Sequence, residues 1–189
     1  MTTETLEQAF DVAKGVLANV KPAQLDQPTP CKSWDVRALI NHLVGGSFFF
    51  AAATNAGEAP GDGGDAPDLA AGDFCASYED GSKQAVAAFA TPGALEKTIK
   101  LPFGEFPGAA FMGIATLDTF THAWDLAKAT GQSTDLAPAL AAQLLEQAKA
   151  SIPDTFRGDE PLPFGPAQAA GAGATAADQL AAFMGRAVS

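Results

Sequence analysis

The stretch DTFTHAWD, residues 118–125, lies near the middle of residues 108–130, which are predicted to form one helix ending before a glycine. An α-helix completes a turn every 3.6 residues, so Asp118 and His122 lie on the same face, one turn apart. Side chains at this spacing are neighbours on the helix surface and are close enough to hold one ion between them. The spacing therefore makes Asp118 and His122 candidate metal ligands.

The other histidine of the chain, His42, lies midway along an earlier helical pattern, residues 34–50. If the two helices pack together, His42 completes a His/Asp/His set for a divalent metal. Three protein ligands with one position left open are typical of catalytic zinc sites. Asp125, three residues after His122, is placed to hydrogen-bond the free ring nitrogen of that ligand. The pattern alone also allows the alternative that both histidines are satisfied structural residues.

Composition indicates a globular protein and disfavours two classes of partner. The chain has 189 residues, of which 47% are hydrophobic and 17% charged. Its net charge is −11 and it has no basic stripe, which argues against binding nucleic acid or an anionic membrane. We therefore expect a small-molecule ligand, with neutral or cationic chemistry preferred over polyanions.

The sequence also predicts a cytoplasmic location. The N-terminal residues 1–14 lack the basic and apolar regions of a signal peptide. No uninterrupted apolar run approaches the roughly 20 residues needed to span a bilayer, so no membrane association is expected. The two cysteines, Cys31 and Cys75, are expected to be reduced thiols.

Hydrophobic periodicity predicts an all-α bundle with a minor β-hairpin, folded as a single domain over residues 1–189. A Gly/Asp-rich loop at 57–67 and an irregular C-terminal extension at 152–189, ending in a short helix, complete it. The predicted helices cover residues 3–20, 34–50, 69–90, 108–130, 136–151 and 178–184, and the hairpin covers 95–106. Ser33 is the predicted N-terminal cap of the second helix.

The helix that carries His42 contributes further candidates. Gly45 and Gly46 are small residues about one turn away and would leave room for an ion and a substrate. Arg37 and Asn41 lie near the same helix face and are candidate cofactor-binding or ligand-binding residues. The run of three phenylalanines at 48–50 is interpreted as a packed helix end.

Three other residues have structural and functional interpretations. Cys31 precedes a helix N-terminus and is a candidate nucleophile, but it is more simply an ordinary buried thiol because no spare histidine remains as its base. Trp34 and Trp124 are interpreted as core anchors. Imidazole and carboxylate ligands suit Zn, Ni, Fe or Mn and do not choose among these metals without geometry.

Two motifs resemble a known family signature. One is Pro28-Thr-Pro-Cys-x-x-Trp-Asp-Val-Arg-x-Leu-x-x-His42-Leu-Val-Gly-Gly46, and the other is Asp118-x-x-x-His122-x-Trp-Asp-Leu-Ala127. Together they resemble the actinobacterial branch of the DinB-like superfamily, which includes mycothiol-dependent maleylpyruvate isomerase. Residues 178–186 are similar to the ending of that branch, so the resemblance covers most of the chain.

The resemblance implies a DinB-like four-helix bundle in which His42, Asp118 and His122 hold a divalent metal. Zinc is the favoured ion, with nickel or iron as alternatives. The isomerase pattern has glutamate where this chain has Asp118, and this chain lacks an obvious extra C-terminal domain, so neither the metal nor the isomerase substrate carries over directly.

Three functions follow as hypotheses from the resemblance and the residues. The first is a metal-dependent thiol transferase or isomerase that uses a low-molecular-weight thiol of the mycothiol type on a small electrophile. The second is a non-catalytic module that binds a metal or small ligand, and the third is a metal-assisted hydrolase. The protein is expected to be a monomer or a homodimer.

Overall fold

A computed structural model describes residues 2–61, 67–158 and 164–188. These residues form six α-helices and one two-stranded antiparallel sheet. The helices are α1 (Glu4–Leu17), α2 (Val36–Ala56), α3 (Phe74–Ala90), α4 (Gly108–Ala129), α5 (Pro138–Ser151) and α6 (Ala176–Phe183), and the strands are β1 (Thr98–Leu101) and β2 (Gly104–Pro107).

The first four helices form the bundle, and the predicted all-α, DinB-like four-helix architecture is confirmed. Helix α1 packs on α3 and α4, and α2 packs on the same two helices, so each helix has two neighbours. Apolar residues at helical spacing on each element face inward and build one core. Its largest fully buried members include Leu6, Leu39, Ile40, Phe89 and Phe111.

Helices α5 and α6 form a second layer on the side of α4 and α1. Their apolar faces pack around Phe120 and Trp124 of α4, with Leu144 and Leu180 fully buried. The indole nitrogen of Trp124 donates a hydrogen bond of 2.9 Å to Asp178, at the start of α6. Helix α4 is therefore covered from several directions, and its second half from Thr119 to Ala127 is buried throughout. Trp124 is the core anchor that its sequence context predicted.

Helix boundaries near the N-terminus differ from the predicted ones. Helix α1 ends at Leu17, three residues before the predicted end, and a short 3-10 turn follows at Pro22–Gln24. The predicted cap Ser33 is wrong, because Asp35 accepts a hydrogen bond of 2.8 Å from the backbone N–H of Ala38. A carboxylate there satisfies a backbone donor that the helix leaves free and also suits the helix dipole.

The predicted helix 69–90 is two elements. Residues Leu69–Ala71 form a 3-10 turn, and α3 begins at Phe74 with Asp73 as its cap. Gly72 lies between them in an extended conformation, which breaks the helix. The predicted end of α4 is confirmed, since Gly131 follows it with φ +69°. The short final helix begins at Ala176 and ends at Phe183, slightly earlier than predicted.

The hairpin is shorter than predicted and is attached to the end of α2. Strands β1 and β2 pair from Thr98 with Pro107 to Leu101 with Gly104, which leaves Pro102 and Phe103 at the turn. Backbone hydrogen bonds join Lys100 to the residues that follow α2, with Lys100 N–H donating to Gly57 O at 2.9 Å. This attachment fixes the position of the turn relative to α2.

Some predicted elements fall partly outside the described residues. Residues 62–66 of the predicted loop and residues 159–163 and 189 of the predicted extension are among them.

The expectation that no apolar run reaches membrane-spanning length is wrong for α2. This helix has 21 residues with a mean hydropathy of 1.3, which is enough to cross a membrane by length and composition. Core helices of globular proteins have the same properties, and here half of the apolar stretch is buried inside the bundle.

Gly81 of α3 permits the close contact between α2 and α3. A Cβ atom there would collide with the hydroxyl of Ser47 and would lie 3.0 Å from its Cβ. We predict that Gly81→Ala lowers the free energy of unfolding by about 1–3 kcal/mol through overpacking. Denaturant unfolding measures this change. The matched control is Gly15→Ala in α1, where a Cβ meets nothing within 4 Å and should stabilise the protein by about 0.5–1 kcal/mol. Equal effects of the two substitutions would contradict the close contact.

Candidate metal centre

Helices α2 and α4 bring the three predicted ligands together. The Nε2 atom of His42 lies 3.2 Å from one carboxylate oxygen of Asp118 and 3.4 Å from the other. The Nε2 atom of His122 lies 3.5 Å from Asp118. One ligand atom from each of the three side chains falls within 4.8 Å of the other two. The pairing of α2 with α4 that the hypothesis required is present, and it places all three donors at one point.

The opposite nitrogen of His122 is held by Asp125. The Nδ1 atom lies 3.0 Å from the carboxylate of Asp125, as the i, i+3 spacing predicted. Asp125 is completely buried, and the guanidinium of Arg186 donates to both of its oxygens at 2.8 and 3.2 Å. A buried carboxylate needs such a partner, because an unpaired charge in the interior is costly. The ring of His122 is therefore fixed with Nε2 directed towards Asp118.

Two functional candidates were missed or undervalued in the sequence, namely Arg186 and Cys31. The thiol of Cys31 lies 3.5 Å from Asp125, 3.3 Å from the Arg186 guanidinium and 3.9 Å from Nδ1 of His122. Cys31, His122 and Asp125 thus form a second cluster of possible metal ligands that shares His122 with the first. The interpretation of Cys31 as an ordinary buried thiol is wrong, since the thiol is only partly buried and contacts this polar cluster.

Sequence signals for these two residues were weak. Cys31 precedes the first turn of the helix that carries His42, which was a usable clue. Arg186 lies 61 residues beyond Asp125 and outside any regular helix, so no spacing rule connects the two.

Trp34 is not only a core anchor, as its sequence context suggested. Its ring lies 4.6 Å from the ring of His42 and 5.3 Å from that of His122, measured between centroids. The two imidazoles lie 4.6 Å apart and nearly perpendicular. Trp34 therefore restricts the orientation of both histidines, which a metal site requires of its supporting residues.

Charge interactions shift the pKa values of the cluster in opposite directions. Burial disfavours the charged form of His122, but the adjacent Asp118 carboxylate outweighs this effect and holds the pKa of His122 well above its usual value. Burial likewise opposes ionisation of Asp118, while the charge and hydrogen bonds of the two histidines hold its pKa far below the usual value. Without metal, these shifts favour the charged forms of Asp118 and His122, which form an ion pair.

A cavity of about 410 Å³ opens beside two of the three ligands, His42 and Asp118. Its polar end consists of Asn41, His42 and Asp118, and Gly45 and Gly46 form part of its floor. A Cβ at either glycine would meet other atoms only at 3.8 Å, so both positions have room for a small side chain, and a larger one at Gly46 would extend into the cavity. The remaining wall is apolar and is formed by Phe49, Phe50, Phe103, Phe111 and Ile114.

The phenylalanine run is more than a packed helix end. Phe49 and Phe50 do pack against Phe111, with ring centroids 6.2 and 5.7 Å apart, but both also line the cavity. Two of the three rings therefore belong to the ligand-accessible wall.

The predicted ligand contacts Arg37 and Asn41 have different positions. Asn41 lines the cavity, donates to Asp68 at 3.1 Å and accepts from the Ala70 N–H at 2.8 Å. Arg37 is ion-paired with Asp68 at 2.8 Å and is not among the residues that line the cavity. The Asp68 contact ties both side chains to the segment before α3.

Comparison with known proteins identifies the family. Residues 6–127 match the family described as the mycothiol maleylpyruvate isomerase N-terminal domain. The chain belongs to this family. The matched range contains His42, Asp118, His122 and Asp125, whereas Arg186 lies beyond it.

Two relatives match almost the whole chain, and a solved structure matches most of it. Two uncharacterized proteins of Mycobacterium tuberculosis, from strains CDC 1551 / Oshkosh and ATCC 25618 / H37Rv, are each 42% identical over 185 residues, covering 96% of this chain and 96% of theirs. The crystal structure of the mycothiol-dependent maleylpyruvate isomerase aligns with a TM-score of 0.57 and 17% identity, covering 77% of this chain and 70% of that one. This structural match supports the DinB-like fold.

The Asp118–His122 ion pair predicts how stability of the metal-free protein depends on pH. The raised pKa of His122 stabilises the fold below about pH 6.5, and this contribution is lost as pH rises through the folded-state pKa. The lowered pKa of Asp118 stabilises the fold above about pH 4, and this contribution is lost on acidification. We predict that the melting temperature of chelator-treated protein falls between pH 6 and 8.5.

The matched variant is Asp118→Asn, which removes the carboxylate while keeping the side-chain size. Its melting temperature should be lower at pH 6 and should fall less towards pH 8.5 than that of the wild type. Asp135→Asn, at an exposed site, should retain the wild-type pH dependence. Parallel curves for wild type and Asp118→Asn would show that the ion pair does not stabilise the fold.

Proposed function

We propose that His42, Asp118 and His122 bind one divalent metal ion, and that the protein is a thiol-dependent transferase or isomerase acting on a small electrophile. The single observation that carries this proposal is the convergence of three ligand atoms within 4.8 Å, at the polar end of a cavity large enough for a small molecule.

The donor set fits a catalytic metal better than a structural one. Two imidazoles and one carboxylate are common ligands of zinc and related divalent ions. Within the described ranges, no fourth carboxylate, imidazole or thiol belongs to the His42, Asp118 and His122 set, so one coordination position is left for an exogenous ligand. A closed site would require a fourth protein ligand, and this difference favours the enzyme over the non-catalytic binding module.

Of the two clusters that share His122, the one with His42 is the better metal site. His42 and Asp118 face the cavity, whereas Cys31 and Asp125 contact the Arg186 guanidinium. A guanidinium already supplies positive charge to the second cluster and would repel a cation. Asp125 and Arg186 therefore orient His122 and are positioning residues in this proposal.

Asp118 distinguishes this chain from the glutamate of the isomerase pattern. The shorter carboxylate reduces the reach of this ligand by about one methylene. Zinc is the proposed ion, with nickel or iron as alternatives, because the same donor types serve all three.

A metal bound at this site would lower the pKa of a coordinated thiol, so that the thiol would be ionised to thiolate at neutral pH. The proton of the thiol passes to solvent, and the sulfur lone pair forms a C–S bond to the electrophilic carbon. In a substitution, the bonding electrons leave with the departing group. In an addition to a double bond, the π electrons of that bond move to the neighbouring carbon; after rotation about the resulting single bond they re-form the double bond as the C–S bond breaks, which isomerises the substrate and returns the thiolate.

The chain supports this chemistry through its own side chains. Trp34 limits the motion of both imidazoles, and the phenylalanines of the wall exclude water from the reacting atoms. Asn41 and Arg37 are proposed to contact the polar part of the thiol cosubstrate, with Asn41 at the cavity and Arg37 beyond it on α2. The family and its structural neighbour are named for mycothiol, which makes mycothiol the first cosubstrate to test. A cytoplasmic location and a monomeric or homodimeric state are part of the proposal.

Metal content is the first test. We predict about one equivalent of zinc, nickel or iron in protein purified without an affinity tag, measured by elemental analysis. His42→Ala and His122→Ala should each lose it, since removing one of three ligands disrupts the site. Asp118→Glu should retain metal because it keeps the carboxylate.

Cys31→Ala is the matched control, because it removes a ligand of the alternative cluster only. It should keep the full metal content. Metal lost in Cys31→Ala but kept in His42→Ala would reverse the assignment of the two clusters. Thermal unfolding of every variant separates loss of metal from loss of the fold.

Thiol-dependent turnover is the second test. Metal-loaded protein with mycothiol and an electrophile should consume free thiol or isomerise the substrate, and His122→Ala and metal-stripped protein should lose this activity by at least about 100-fold. Restoring the metal should restore turnover in the wild type only. Undiminished turnover in the stripped protein would refute the metal-dependent mechanism, and conversion of an ester or amide without thiol would favour the hydrolase.

A further inference from the structure

We infer that the electrophile accepted by this site is an uncharged, apolar molecule, best an aromatic one, and that Phe103 at the tip of the hairpin helps to select it. The inference rests on the proposed function, because it names the substrate class of the same cavity. The inferred substrate also differs from the one in the name of the structural neighbour, because maleylpyruvate carries two carboxylates.

The apolar part of the cavity lining is mostly aromatic, because four of its five residues are phenylalanines. Phe111 is fully buried and contacts both Phe49 and Phe50, and Ile114 lies one turn further along the same face of α4. Aromatic rings favour offset or edge-to-face neighbours, so this wall suits a flat apolar ligand. No hydroxyl or amide from this wall offers a hydrogen bond to a polar substrate group.

Among the described residues, the cavity lining also contains no lysine or arginine to bind a carboxylate. The residues outside the described ranges contain neither type. Two arginines of the surrounding elements are already paired, Arg37 with Asp68 and Arg186 with Asp125. An anionic substrate would therefore lose hydration without gaining a charged partner, which is costly.

A bound metal would not change this balance. The two positive charges of a divalent ion would be balanced by one negative charge from the Asp118 carboxylate and one from a bound thiolate. No positive charge remains for the electrophile, and the protein as a whole carries −11. Electrostatics thus disfavour mono- and dicarboxylate substrates both at the site and during approach.

Phe103 is placed where a turn rarely has a large apolar residue. It follows Pro102 in the two-residue turn between β1 and β2, where glycine, asparagine or aspartate would be usual. The residue is 66% exposed, and its ring centroid lies 5.6 Å from that of Phe106. Phe103 also lines the cavity. A single exposed phenylalanine is common on proteins, but this one extends the aromatic wall to the mouth of the cavity. The hairpin attachment to α2 fixes it there.

A pair of fluorescent probes with one aromatic skeleton tests the inference. N-phenyl-1-naphthylamine is neutral, and 8-anilino-1-naphthalenesulfonate adds one sulfonate to the same rings. We predict that the intact protein binds the neutral probe at one saturable site and binds the sulfonate at least tenfold more weakly. Fluorescence titration gives both dissociation constants, and maleate, added as a competitor, should not displace the neutral probe.

Two substitutions place the probe in the cavity. Phe103→Ala should weaken binding of the neutral probe about three- to tenfold, the range expected for loss of one aromatic partner. Gly46→Leu should weaken it more, because the added side chain would occupy the cavity. The matched control is Phe156→Ala, which removes the other strongly exposed phenylalanine, 51% exposed and away from the cavity lining, and should change nothing.

Sulfonate binding as tight as that of the neutral probe, displacement by maleate, or unchanged binding in Phe103→Ala and Gly46→Leu would overturn the inference. The same titration on chelator-treated protein separates it from the proposed function. Binding of the neutral probe with no metal in the native protein would refute the metal site and leave the inference standing. One equivalent of metal in protein that does not bind the neutral probe would support the metal site and refute the inference.

Discussion

A polar contact between two core helices, Asp118 of α4 with His42 of α2, is the constraint around which the site of this protein is built. Charged groups inside a bundle are costly unless they are paired, so the position of each helix is constrained by the need to keep them together. Asp118 lies between the two imidazoles, and Asp125 holds the far side of His122. The interior of the bundle is thus organised around a polar cluster in which each carboxylate and each imidazole has a partner.

The second layer of helices extends that constraint outward. Arg186 follows α6 and pairs with Asp125, while the start of α6 is joined to α4 by the Trp124–Asp178 hydrogen bond. The C-terminal part of the chain therefore acts on the site without lining the cavity. Its contribution is to compensate the charge of a buried carboxylate and so to fix the orientation of His122. The family match ends at residue 127, so it does not include Arg186, which supports the centre from outside the matched range.

The site is asymmetric, and its two sides suit different chemical roles. One side presents imidazole and carboxylate donors with Asn41 nearby, which suits a metal and a polar thiol. The other side presents phenylalanine rings from α2, α4 and the hairpin, which suits an apolar substrate. Gly45 and Gly46 also line the cavity and add no side chain to either side. In the proposed reaction, the boundary between the two sides is where the sulfur and the electrophilic carbon meet.

The sequence by itself determined the helical class, the hairpin and the candidates His42, Asp118, His122 and Asp125. These follow from local periodicity, from the fixed 3.6-residue turn and from motifs read along one helix. Tertiary structure decided the rest, including the Arg186 partner of Asp125, the contacts of Cys31 and Trp34, and the place of Phe103 at the cavity. Those contacts join residues far apart in the chain, and no spacing rule encodes them, because they arise only when whole helices pack.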